Sequence, residues 1–183
     1  MTVLILGQAG SGKSALAEDI AVESGGSRRY YIATMKVYDK EGIARVEKHR
    51  RQREGKGFIT IERQYDLAGV TDMMKDPGHA VVLLECVSNL VGNELFENPD
   101  MTDEKRKLLI PAKGDARTVF AERIFADIKL LSERVACLIV VSNTYEADGA
   151  SYDDETRLYV RMLELVNERL IRFSDRVIDL RHM

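Results

Sequence analysis

Val3-Leu4-Ile5-Leu6-Gly7-Gln8-Ala9-Gly10-Ser11-Gly12-Lys13-Ser14 is the stretch on which the fold turns. Four apolar residues in a row read as a short strand covered on both faces. The eight residues after them fit GxxxxGK[ST] at every fixed position, and Ser14–Glu23 then carries a helical pattern. Strand, glycine-rich turn and helix in that order make a cradle for phosphate. The glycines let the backbone close tightly with its N–H groups turned inward, and the helix start adds the positive end of its dipole. Gly7, Gln8, Ala9, Gly10, Ser11, Gly12, Lys13 and Ser14 are therefore candidate nucleotide-binding residues for ATP or GTP. Lys13 is placed to reach the β- and γ-phosphates, and the Ser14 hydroxyl to ligate Mg²⁺.

Outward from this motif, strand-like and helix-like segments alternate. Tyr30–Ala33 and Phe58–Ile61 read as strands, and Glu41–Arg53 as a charged helix between them. Ala80–Leu84 and Cys137–Val141 are continuous apolar runs, as central strands require. Glu155–Phe173 is amphipathic, and Arg176–Leu180 closes the chain as a last strand. This alternation predicts an α/β fold of the P-loop NTPase type, with a mostly parallel central sheet and helices on both faces. One domain over residues 1–183 is expected. The charged segment 97–118, with Pro99, Pro111 and Gly114, is expected to be a surface insertion, either a flap over the site or a solvated excursion.

The 183 residues carry a formal net charge of −3, which gives no general reason to bind nucleic acid. No apolar run approaches the ~18 residues that span a bilayer, and Met1–Leu6 lacks the basic lead of a signal peptide, so a cytoplasmic protein without a membrane partner is expected. Cys86 and Cys137 lie beside apolar runs with no CxxC partner; they read as buried thiols rather than zinc ligands.

A P-loop needs a second carboxylate on its metal side, at the end of a neighbouring strand. Val81-Val82-Leu83-Leu84-Glu85 supplies an apolar run ending in an acid, which makes Glu85 a candidate metal or nucleotide contact beside Ser14. Of the three histidines, His79 sits in a turn and His182 next to the last residue; both read as incidental. His49 differs, because Arg45, His49 and Arg53 fall on one helical face at i, i+4 and i+8. A neutral imidazole among arginines can attack a phosphorus whose anionic oxygens those arginines neutralise, forming a nucleotidyl-histidine. A solvated basic helix or an RNA-contacting patch accounts for the same charges, and on composition the solvated helix is favoured.

The P-loop, Tyr31-Ile32-Ala33-Thr34, His49-Arg50, Thr60-Ile61-Glu62, Leu83-Leu84-Glu85-Cys86 and Val141-Ser142-Asn143 resemble, in order and approximate spacing, the bifunctional adenosylcobinamide kinase/adenosylcobinamide-phosphate guanylyltransferase family of cobalamin biosynthesis. The resemblance implies two reactions. A nucleoside triphosphate phosphorylates the aminopropanol hydroxyl of adenosylcobinamide; GTP then guanylylates a histidine, and GMP passes on to give adenosylcobinamide-GDP. It implies that His49 is that histidine. It also implies that Thr34, Met35, Lys36, Arg50, Arg51, Gln52, Arg53, Glu62 and Glu85 contact nucleotide, that a corrinoid is the acceptor, and that the protein is a homotrimer. The chain departs from the family's pattern where Phe58 stands in place of a Trp, at Thr144–Gly149, and at Val160, Arg161 and Glu164. A single-activity P-loop kinase of another small alcohol, and a nucleotide-binding regulatory module without turnover, are the competing readings of the same residues.

Overall fold

The computed structural model describes residues 1–110, 115–145 and 152–181, the side chains of Glu41, Arg45 and Asp115 apart. The P-loop strand β1 (Thr2–Gly7) is buried along its whole length. It pairs with β5 (Cys137–Asn143) on one side and β6 (Arg176–Asp179) on the other. Beyond β5 come β4 (Ala80–Glu85), β2 (Arg28–Ala33) and the edge strand β3 (Phe58–Glu62), all parallel. The helices are α1 (Lys13–Glu23), α2 (Lys40–Arg53), α3 (Val87–Phe96), α4 (Asp103–Leu109), α5 (Asp115–Arg134) and α6 (Asp154–Phe173).

Because successive strand residues point to opposite faces, the apolar runs feed two cores. Leu4, Leu6, Val82, Leu84, Leu138 and Val140 point into one, which α3, α5 and α6 cover with Leu90, Val91, Ile124, Ile128, Met162 and Val166. Val3, Ile5, Val81, Leu83, Ile139 and Val141 point into the other, against Ala17 and Ala21 of α1. Alanine at both contact positions removes side-chain bulk, so α1 lies close on the sheet directly behind the phosphate loop. Tyr31 also belongs to this second face, and Ala33 packs against it.

Each strand and helix read from the sequence is present, with ends moved by one or two residues. Asp153 starts α6 by accepting from Thr156 N at 2.7 Å, and Asp39 starts α2 by accepting from Gly42 N at 2.7 Å. The described part of segment 97–118 folds back onto the body instead of leaving it. Leu109 joins the first core, and Met101 and Ile110 pack against it. Asn98 is buried and donates to Glu94 at 2.7 Å, and that same carboxylate accepts from Asp66 N and Arg123. Among the described residues no helix is long and apolar enough to cross a membrane.

Candidate active site

All five candidate segments sit at one edge of the sheet, because parallel strands bring their carboxyl ends together. Gly7 ends β1, Ala33 ends β2, Glu62 ends β3, Glu85 ends β4 and Asn143 ends β5. The register places Ala33 beside both Glu62 and Glu85, and Gly7 beside Asn143.

The loop after β1 has the geometry its glycines permit. Gly10 and Gly12 hold φ of +79° and +84°, in the left-handed region that other residues adopt only at a cost. Gly12 also precedes α1 without any side-chain cap, so the first N–H groups of that helix are left for a ligand. Lys13 is buried and folds back over its own loop, donating to Gln8 O and, at 3.4 Å, to Ser11 Oγ. Burial lowers its pKa, while Cys86 and Glu85 pull in the opposite direction.

Glu85 is not on the strand next to β1, contrary to the sequence expectation; β5 lies between. The P-loop helix packs over both β5 and β4, so Glu85 still meets it, and Ser14 Oγ donates to Glu85 Oε1. Glu85 Oε2 is buried and has no hydrogen-bond partner. A hydroxyl and a carboxylate in contact, one oxygen of the pair unsatisfied, form a hard-oxygen donor set that fits Mg²⁺ on a nucleotide. Above Glu85 lies Tyr31, whose phenol is pushed up by burial and then by the Glu85 charge.

The second half of the site is a pocket of about 230 Å³ between α2 and the ends of β2 and β3. His49, Arg50 and Arg53 of α2 line it together with Tyr31, Lys36 and Glu62. His49 is half-buried, and its Nδ1 is buried without a hydrogen-bond partner, so nothing at that nitrogen fixes the tautomer. Arg50 pairs with Glu62 at 3.1 Å, an exposed contact that orients more than it stabilises. Arg53 is 7% exposed and lies over the Tyr31 ring, its guanidinium carbon 3.5 Å from the ring centroid. A desolvated cation–π contact of this kind is worth about 2 kcal/mol.

Other expected contacts fall differently. Met35 and Lys36 line the pocket, and Lys36 is paired with Glu97. Thr34 is fully buried, and its hydroxyl is engaged twice by Cys86, accepting from N at 2.7 Å and donating to O at 2.8 Å. Its side chain therefore ties β2 to β4 and shapes the site without facing it. Arg51 and Gln52 do not line the His49 pocket; both border a groove with Glu47 and Lys48, and Arg51 also borders an adjoining one with Arg50, Arg53 and Thr60. A helix turns about 100° per residue, so four consecutive polar residues cannot share one pocket. The side chain of Arg45, His182, and residues 146–149 lie outside the described set. His79 is exposed and bound to Asp76 within its own turn at 2.9 Å.

Three groups escape the sequence reading. Tyr31 is one, although its place in an alternating strand beside Ile32 marks it as facing the α1 side. Glu18 of α1 is another, 1% exposed and set between Arg53 and Lys56. Asn143 is the third: its side chain donates to Ser88 at 2.9 Å, and its carbonyl accepts from Asn167 at 3.0 Å, which braces the end of β5 between the two halves. Glu18 has no motif to announce it, and Asn143 entered only as the end of Val141-Ser142-Asn143, without a role.

A family model described as cobinamide kinase/cobinamide phosphate guanyltransferase matches residues 3–181. The bifunctional adenosylcobalamin biosynthesis protein CobU of Escherichia coli K12 is 35% identical over 146 residues, which is 76% of this chain and 78% of that one. The bifunctional adenosylcobalamin biosynthesis protein CobP of Pseudomonas aeruginosa PAO1 is 35% identical over 116 residues, 63% of this chain and 65% of its own length. Among solved structures, an ATPase domain superposes with a TM-score of 0.51 at 12% identity, covering 97% of this chain and 68% of that one, a likeness of fold alone. The chain belongs to the cobinamide kinase/cobinamide phosphate guanyltransferase family.

Proposed function

We propose that this protein phosphorylates the aminopropanol hydroxyl of adenosylcobinamide with ATP or GTP, then moves GMP from GTP through His49 onto the product, giving adenosylcobinamide-GDP. The observation that carries this reading is the His49 pocket, walled by Arg50 and Arg53, on the same sheet edge as the P-loop. In the first reaction the loop amides and Lys13 hold the triphosphate, and the acceptor oxygen attacks the γ-phosphorus in line. Ser14 and Glu85 are the residues to hold Mg²⁺, which neutralises phosphate charge when bound.

In the second reaction an imidazole nitrogen of His49 attacks the α-phosphorus of GTP. A phosphorus–nitrogen bond forms as the bond to pyrophosphate breaks. An oxygen of the corrinoid phosphate then attacks the same phosphorus, and the electron pair of the phosphorus–nitrogen bond returns to the imidazole. Arg50 and Arg53 offset the negative charge on the phosphate oxygens in both steps. Met35, Lys36 and Glu62 are proposed to shape the nucleotide's place beside them, and the family likeness supports a homotrimer working in the cytoplasm.

The test uses GTP carrying a radioactive α-phosphorus. Stable label on the protein, lost in acid and kept in base as a phosphoramidate should be, supports the reading. Phosphoryl transfer to the alcohol without any such label leaves a single-activity kinase in its place.

A further inference from the structure

Glu18 sits in α1, one turn beyond the phosphate loop, yet its carboxylate faces away from the phosphates and toward α2. It is 1% exposed. Oε2 accepts from Lys56 Nζ at 2.8 Å, and Oε1 lies 3.8 Å from Arg53 Nη1. Those last two atoms are both buried and neither has a hydrogen-bond partner, so what acts between them is charge alone. Arg53 meanwhile lies over the Tyr31 ring and forms part of the wall around His49.

A guanidinium on a long flexible stem leaves a buried site readily when its counter-charge is removed. Tyr31 offers a face but no anion, and among the described residues the carboxylate that pairs with Arg53 is Glu18, at 3.8 Å. Its charge, shared with Lys56, keeps Arg53 turned inward. We propose that Glu18 is a positioning residue for guanylyl transfer: from the P-loop helix it holds Arg53 against Tyr31, so that the guanidinium faces the pocket of His49. This rests on the His49 reading above. It also means that the helix carrying the kinase loop sets the geometry of the other reaction's pocket.

Glu18→Gln keeps the shape and removes the charge. Three quantities are measured: the rate at which α-labelled GTP marks the protein, the rate of γ-phosphoryl transfer, and the Arg53 Nε–H resonance in arginine-labelled protein, which the Tyr31 ring current displaces. The expected result is labelling slowed about tenfold or more, equivalent to ~1.4 kcal/mol of barrier, with phosphoryl transfer within about threefold and the Arg53 displacement lost. Glu18→Asp should recover part of the labelling rate. Labelling that is unchanged, or that falls in parallel with phosphoryl transfer and Tm, overturns the proposal, since a merely structural carboxylate does the latter. If Glu18→Gln does not fold, Glu18→Asp serves instead: it keeps the charge but draws it back by one methylene, so labelling should slow more than phosphoryl transfer, and equal losses in both reactions overturn the proposal. Absence of label on the wild-type protein sinks the His49 reading by itself; the Arg53 resonance then judges Glu18 alone, and an unmoved signal overturns it.

Discussion

Replacing Lys13 with Met should separate stability from function, with the two responding very differently. Lys13 is 6% exposed, and its folded pKa lies below the ordinary lysine value because of burial. For a base, a lowered folded pKa means that the unfolded chain holds the proton more tightly. Carrying the charge therefore costs folding free energy at every pH below the folded pKa, and that cost disappears only above the unfolded value. Lys13→Met abolishes it while keeping an apolar stem of similar length. Against this gain stand the hydrogen bonds to Gln8 O and Ser11 Oγ, worth about 1 kcal/mol or less each. The two effects oppose each other, so the empty protein's Tm should stay within about 3 °C of the wild type. Function takes the whole loss. Two charge-assisted bonds to phosphate oxygens contribute about 1.5–3 kcal/mol each, so turnover should fall by roughly 10²- to 10⁴-fold. Thermal melts with and without Mg-nucleotide test both halves at once. Nucleotide at a hundred times Kd should add about 2.7 kcal/mol to the wild type and little to the variant at the same concentration. An empty variant that melts more than 5 °C early, by an order-of-magnitude standard, yet turns over within threefold of wild type, would refute the argument.

His49→Ala should retain phosphoryl transfer within about tenfold while losing protein labelling and guanylyl transfer altogether, because only the second reaction needs a nitrogen nucleophile; label that survives the change places the nucleophile elsewhere. Glu85→Gln preserves shape but removes the charge beside Ser14, so dependence on Mg²⁺ concentration should worsen far more than Tm. A collapsed Tm with normal kinetics of the surviving enzyme makes Glu85 structural. Leu138→Ala, at a fully buried position of β5, should cost about 2.5–5 kcal/mol in denaturant unfolding; a loss below about 1 kcal/mol would mean that the central strands are not packed as described.

The strands were legible because central parallel strands need unbroken apolar runs, and Val3–Leu6, Ala80–Leu84 and Cys137–Val141 have them. The P-loop was legible because its glycines answer a backbone requirement that no other residue meets. The order of strands was not, since β5 enters between β1 and β4 from far along the chain and no local pattern encodes that insertion. α5 went unread although Phe120, Ala121, Ile124, Ile128 and Leu131 recur at helical spacing; its charged, proline-flanked approach obscured its start. In the site, the P-loop motif and the end of an apolar run singled out Lys13, Ser14 and Glu85 as candidates, whereas His49 rested on the family resemblance, because its basic helix alone reads as solvated. The division of labour along α2 was not visible. The sequence lists Arg50, Arg51, Gln52 and Arg53 as one run, and only helical rotation against β2 and β3 separates the two arginines that line the His49 pocket from Arg51 and Gln52, which do not.

The strand order carries one more consequence. β5 and β4 stand between the P-loop strand and β2, which puts the end of β1 three strand spacings from the end of β2, roughly 14 Å. Asn143 and Glu85 stand on the rim between them, at the ends of β5 and β4. On the proposed function, an acceptor phosphorylated at the loop would have to shift its berth along that rim before taking nucleotide at His49.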